Sequence, residues 1–231
     1  MRISLITAGL AILLAACGGD GGSAITEFDD VPQRIEVDIA AGDVSVTGNA
    51  ATDGVSVETE VDGAATPSVE LGDGVLSIAD DCSSDCSVNY DILVAGDADV
   101  VITTDDGNVV VSNITGTITV ETSIGAVTLA TVDGDLQVIV GEGDVLGTRL
   151  VSDVATFEAS EGNVDITFDE VVSTLVVATD KGDVTVQLPD GSYAFDTEPE
   201  DRTELRIDGS DGAANTVTLT TGDGEIIVYK R

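Results

Sequence analysis

Aliphatic and polar residues alternate along this chain in short bursts, and each burst follows a glycine. After Gly107, Gly116, Gly125, Gly134 and Gly143 the sequence reads GNVVV, GTITV, GAVTL, GDLQV and GDVLG. The aliphatics fall two and four positions beyond the glycine, as in Ile118 and Val120 or Leu136 and Val138, with Thr, Ser, Asp or Gln often between them. A period of two marks a strand with one buried face. The nine-residue spacing of these glycines predicts a five-residue strand and a four-residue turn. Glycine belongs at the turn, where a positive φ or close backbone approach penalises larger residues. The pattern resumes at Gly162, Gly182 and Gly224 and has forerunners at Gly42 and Gly54. Helical spacing is absent beyond the N-terminal segment, and β-branched residues dominate.

Alternate glycines sit in different contexts, so the repeat is two strands long. One series runs Gly107, Gly125, Gly143, Gly162, Gly182; the other runs Gly116 and Gly134 and loses its glycine near Asp153 and Ser173. Aligning the first series stacks Val109, Val127, Val145, Val164 and Val184 in one column. A second column holds Val111, Leu129, Gly147, Ile166 and Val186, with Gly147 as a weak rung. Columns of like aliphatics suit rungs about 4.8 Å apart. The expectation is an all-β, single-domain parallel β-solenoid or β-helix-like fold, with two-strand rungs of roughly 18–20 residues. One rung cannot bury its own apolar face, so several must stack, with irregular ends that block edge pairing.

The first residues read as an address. Arg2 is followed by an apolar run from Ile3 to Leu14 and then by Leu14-Ala15-Ala16-Cys17. The run is too short to span a bilayer and reads as a secretory signal over residues 1–16, with a plain cleaved signal as the alternative. Its ending resembles a bacterial lipobox, which makes Cys17 a lipidation site and anchors the chain in a membrane through two or more acyl chains. Gly18, not Asp, follows Cys17; in a Gram-negative cell this resemblance favours the outer membrane. Residues 17–24 are then a lipidated cysteine and short flexible tether, reaching about 15 Å, and residues 25–231 are the repeat domain.

Cys82 and Cys86 lie within DDCSSDC. In an exported chain they are expected to form a disulfide. With no His and no further Cys, a zinc site lacks ligands, and the CxxxC spacing weakens a redox reading.

Acidic residues outnumber basic ones by 44 to 8, for a formal net charge of -36. Such a field repels nucleic acid and excludes it as a partner. Many acids lie near turns, and two readings follow. Acidic turns keep a β-rich exported protein soluble and suit a saline habitat. Alternatively, stacked carboxylates bind calcium, which takes six to eight oxygens; the candidates are Asp105, Asp106, Glu142, Asp144, Asp180 and Asp183. Calcium-binding RTX repeats share a two-strand coil, but here the Asp after Gly143 stands one residue early, and Asn108, Ala126 and Asn163 replace it in sister rungs. That departure argues against the RTX mechanism.

The assembled pattern resembles the bacterial putative-adhesin family of β-strand-repeat domains. The resemblance covers IEVDIAAGDVSVTGN (residues 35–49), YDILVAGDADVVITTDDGNVVV (90–111), the GDL and GDV rungs, LPDGSYAFDT (188–197) and the closing NTVTLTTGDGEIIVYKR. It implies a solenoid-like domain on a signal peptide or membrane anchor and carries no catalytic motif. Some β-helices process polysaccharides, so an enzyme is an alternative. However, the chain lacks His, has few cations to neutralise uronic acids, and has few aromatic platforms. The expectation is a non-catalytic, membrane-anchored envelope lipoprotein acting as an adhesin-like interaction or structural module. Its partner would be an envelope or extracellular protein or glycan, met by rows of polar side chains such as Thr119, Thr128 and Thr185. A calcium-dependent binding module is the alternative.

Overall fold

A computed structural model describes residues 12–15, 22–82, 85–210 and 212–231. Among them are twenty-two strands and a single 3-10 turn at Glu200–Arg202. The chain opens with β1 (Ile12–Ala15) and β2 (Gly22–Phe28), then lays down the first rung, β3 (Arg34–Ala41) and β4 (Val44–Gly48). An excursion follows through β5 (Val55–Asp62), β6 (Ser68–Gly72), β7 (Val75–Ala79) and β8 (Ser87–Val94). Five consecutive rungs come next: β9 (Asp99–Asp106) and β10 (Val109–Ile114), β11 (Ile118–Ile124) and β12 (Val127–Asp133), β13 (Leu136–Glu142) and β14 (Val145–Val151), β15 (Val154–Glu161) and β16 (Val164–Phe168), β17 (Thr174–Lys181) and β18 (Val184–Leu188). After β19 (Tyr193–Glu198) and β20 (Thr203–Arg206), a seventh rung closes the coil with β21 (Asn215–Asp223) and β22 (Ile226–Lys230).

Each rung gives one strand to each of two sheets. One sheet runs β4-β10-β12-β14-β16-β18-β22 along the axis and the other β3-β9-β11-β13-β15-β17-β21, all parallel within these runs. This is the expected solenoid. The strands are longer and the turns shorter than the pattern predicts, because the corner is turned in two residues, as at Gly125-Ala126.

The expected columns stack in register. Val44, Val109, Val127, Val145, Val164, Val184 and Ile226 form one ladder, facing Ile35, Val100, Ile118, Leu136, Ala155, Leu175 and Val217 on the other sheet. All are buried in a single core, each larger aliphatic contributing about 1.5–3 kcal/mol. Gly147 does not leave the gap its composition implies: Leu150 and Ile166 side chains close over it, and the register shifts between Gly147 and Leu150. Ile114, Val132, Leu150 and Phe168 make a further inward column at that corner. They are turned inward in the first three of these rungs by left-handed residues just before them, Asn113, Thr131 and Arg149, at φ 56°, 56° and 55°.

The glycine of the first series is required by stacking. A Cβ on Gly125 would lie 2.0 Å from the Gly107 carbonyl oxygen, one on Gly143 2.1 Å from that of Gly125, and one on Gly162 1.9 Å from that of Gly143. The column extends to Gly42 at one end and Gly224 at the other. Inward threonines brace it: Thr179 and Thr221 donate through Oγ1 to the carbonyls of Gly162 and Gly182 at 3.2 and 2.8 Å.

The ends depart from the repeat. At the N-terminal end β5 is antiparallel to both β2 and β8, β6 is antiparallel to β7, and β8 joins β4 in parallel. Gly22–Ala24, expected within a flexible tether, belong to strand β2 and pair with Thr59–Val61. Buried Thr26 and Phe28 give β2 an inward face, so the chain is held to the sheet from Gly22 onward. At the other end β19 covers β21 and β20 covers β22.

Candidate functional site

The residue after each stacked glycine forms a second, polar ladder. Asp43 Oδ1 accepts from the Asn108 backbone N–H at 2.8 Å and from its Nδ2 at 3.1 Å. Asn108 Oδ1 accepts from the Ala126 N–H at 3.0 Å. Beyond Ala126 the ladder resumes: Asp144 accepts from Asn163, Asn163 from Asp183, and Asp183 from Glu225, at 2.7–2.9 Å. Asp99 and Asp135 do the same at the opposite corner, for the N–H groups of Thr117 and Val154. Asn108 and Asn163 separate most of the carboxylates, and Asp183 and Glu225 are the neighbouring acids of the column. The GD and GN dipeptides therefore have a structural use in a parallel coil, where each corner would otherwise leave a donor unmet.

That use bears on the six calcium candidates. Asp144 and Asp183 are committed to backbone donors and have Asn163 between them. Asp106 and Glu142 are separated by Ile124 in the register. Asp105 lies at the end of β9 and Asp180 near the end of β17, four rungs apart along the axis. Among the described residues no three acids converge on one point. Beside this column Lys181 bonds Glu161, which raises the Lys181 pKa through that hydrogen bond and the Glu161 charge.

Cys17 lies outside the described residues. Cys82 and Cys86 are bonded to each other, with Cα atoms 5.7 Å apart, in the loop between β7 and β8. Next to them are two of the buried polar atoms without a hydrogen-bond partner among the described residues. Tyr90 is buried, its hydroxyl without a partner, and Asp80 Oδ2 is likewise buried and unpaired. Burial raises the Asp80 carboxyl, and the charge of Asp81 adds to this. Burial and then the Asp80 charge push the Tyr90 phenol up. Asp80 Oδ1 accepts from the Cys82 N–H at 3.1 Å, tying the carboxylate to the disulfide loop. The tyrosine's inward position was legible from alternation along β8; its place beside the Asp80 charge was not.

The threonine rows are broken. Thr119 is on one sheet, whereas Thr128 and Thr185 are on the other, in a column that reads Ser45, Val110, Thr128, Leu146, Asp165, Thr185 and Ile227. Charge is distributed far less evenly. From residue 35 to residue 148 there are 22 acidic residues and no basic one. Apart from Arg34, which pairs with Glu36, the ion pairs of the described residues belong to the C-terminal part: Lys181–Glu161, Arg202–Asp223, Arg206–Glu204, Lys230–Asp190 and Arg231–Asp169.

No family model matches this chain, and no curated protein matches it. Among solved structures it is similar to a putative adhesin from Bacteroides fragilis NCTC 9343, at 13% identity over 90% of this chain and 97% of the other, with a TM-score of 0.52. A putative adhesin from Parabacteroides distasonis ATCC 8503 matches at 14% identity, 92% and 98% coverage and a TM-score of 0.38. A putative cell adhesion protein from Clostridium sporogenes ATCC 15579 matches at 10% identity, 91% and 100% coverage and a TM-score of 0.37. The Bacteroides protein shares the fold, over nearly the whole of both chains.

Proposed function

We propose that this chain is a non-catalytic, membrane-anchored envelope lipoprotein whose solenoid is an adhesin-like interaction or structural module. The observation that carries this reading is the construction of the rod. Seven rungs close one aliphatic core and strands cover both ends, so strand faces and turns are what the molecule offers its surroundings. Long strand faces of this kind suit extended noncovalent contact with an envelope or extracellular protein or glycan. The fold shared with the Bacteroides adhesin-like protein supports the same reading. The acidic field keeps nucleic acid away.

In this proposal residues 1–16 are the signal and Cys17 carries the lipid. Because β2 begins at Gly22, the tether shortens to residues 18–21 and reaches about 10–12 Å. The N-terminal end of the rod then lies against the membrane, and the C-terminal end points away. Processing also removes β1, leaving β2 as the edge of its sheet.

Metabolic labelling with palmitate tests the anchor: label is expected in the native chain and lost in Cys17→Ala. Protease treatment of intact cells then assigns the partner's side, with digestion placing it outside the cell and protection placing it in the envelope. Turnover of any member of a polysaccharide panel by the purified chain would overturn the non-catalytic reading.

A further inference from the structure

Besides faces and turns, the rod has the backbone edges of its end strands. The ten-stranded sheet ends in β19 and β6, the twelve-stranded sheet in β20 and β1. Three of these edges carry features that discourage further pairing. β6 has five residues, follows Pro67 and carries Glu70. β19 carries Asp196 and Glu198 and runs into Pro199. β20 has four residues, two of them the ion-paired Glu204 and Arg206. The fourth edge differs. Its outer strand, β1, is Ile12–Ala15, so removal of residues 1–16 uncovers β2.

β2 has seven residues and one charge, Glu27, with no Pro, Lys or Arg. It pairs antiparallel with β5 from Gly22↔Val61 to Phe28↔Val55 without a break in register. In such a pair alternate residues bond one neighbour, and those between them point N–H and C=O the other way. About three or four residues of β2 therefore present free donors and acceptors once β1 is gone. The structure shows what fits there: β1 lies antiparallel along this edge, from Ile12↔Glu27 to Ala15↔Ala24. Its sequence, ILLA, is aliphatic and uncharged. Thr26 is buried, so the position opposite it in an added strand belongs to the inward face and suits an aliphatic residue.

We propose that, once the signal is removed, β2 receives an extended aliphatic segment of another envelope polypeptide as an added antiparallel strand. The proposal rests on the reading of the chain as a processed, anchored interaction module, and it narrows the partner from protein or glycan to protein. Main-chain hydrogen bonds supply affinity and the alternation of side chains supplies selectivity. The short tether requires the partner segment to reach within about 10–12 Å of the membrane. A second copy of this chain is the poorer occupant. Between residues 18 and 148 the only cation is Arg34, so two such ends repel. Strands follow one another along the rod axis, so pairing two β2 edges would also set the rods end to end, both lying flat on one membrane.

The test uses the purified chain beginning at residue 17 and a peptide of sequence AILLAA, residues 11–16, with lysines added at each end for solubility. Saturating peptide should slow hydrogen exchange about tenfold or more at alternate amides of β2 and leave β6, β19 and β20 unchanged. Two further peptides carry N-methyl groups at one or the other set of alternate residues. The set whose N–H groups face β2 should bind about tenfold or more weakly, and the other should stay within about twofold of the unmodified peptide. The chain that retains residues 1–16, with β1 in place, should bind about tenfold more weakly than the processed chain. Equal loss with both methylated sets, protection at another edge, no protection in β2, or equal binding by the two chains overturns the proposal. So does a dimer of the processed chain whose β2 amides are already protected without peptide. Failure here leaves the palmitate and protease results intact, whereas a chain that keeps residues 1–16 in cells fails the anchor and leaves peptide binding by the purified chain unchanged.

Discussion

The middle of the rod and its N-terminal end solve the same problem in opposite ways. Between β9 and β18 every strand is parallel to its neighbours, inward aliphatics stack on aliphatics, and glycine follows glycine at one corner. At the N-terminal end β5 reverses direction between β2 and β8, a hairpin of β6 and β7 closes the second sheet, a disulfide pins the loop, and an acid and a tyrosine are buried without full pairing. A repeat is stabilised by identical neighbours, which also gives it open edges onto which further chains can add. The end must forgo identity to stop the stack. The cost of irregularity is therefore concentrated there.

The sharpest break between the two regions is expected at glycine. Gly143→Ala places a Cβ 2.1 Å from a backbone oxygen at φ 153°. It should cost about 3–4 kcal/mol or more, lowering the melting temperature by about 8–15 °C. Gly72→Ala, in the edge strand of the cap, meets nothing within 4 Å and should stay within about 0.5 kcal/mol of the native protein.

The disulfide comes next. Replacing Cys82 and Cys86 with serine should cost about 2 kcal/mol because the loop is short. Hydrogen exchange should rise in β7 and β8 and remain unchanged in β11 to β18, which would show that the end opens apart from the middle. A uniform rise would make the two regions one cooperative unit.

A gain is expected where the middle repeat lapses. Ala126→Asn supplies the acceptor missing above Asn108 for the Asp144 N–H, continuing the ladder seen from Asn163 to Asp183. It should stabilise by about 1 kcal/mol, read as about 2–4 °C in melting temperature.

The smallest effect tests the cap's buried acid. The Asp80 pKa is raised in the fold by burial, so its contribution is fully present below the unfolded value near 3.9 and is lost as pH rises through the folded value. Asp80→Asn keeps the acceptor for Cys82 and removes the charge. Its melting temperature at pH 7 should exceed that of the native protein by about 1–3 °C, with the gain vanishing below about pH 4.

How much of this was legible follows the same division. In the middle, Val109, Val127, Val145, Val164 and Val184 could be aligned by eye because one physical constraint, a period-two strand between fixed corners, recurs. The reason for the glycine was only half legible: a turn was expected, but the neighbour that forbids a side chain is the preceding glycine's carbonyl, a contact between residues 18–20 apart. The acids after those glycines invited a metal reading, since sequence shows their charge and hides their acceptor role. Gly42 and Gly224 belong to the same column as Gly125, yet irregular insertions before and after the five central rungs disguised the spacing.

By itself the sequence determined the class of fold, the length of the rung, the inward column of aliphatics and the sign of the surface, because each depends on local periodicity or on composition. Only the tertiary structure decided which strands run antiparallel at the ends, which carboxylates meet backbone donors, and which acids face each other without a cation, as Glu58 and Asp91 do. Those are properties of pairs far apart in the chain, and their energies depend on distance and burial that no single residue carries.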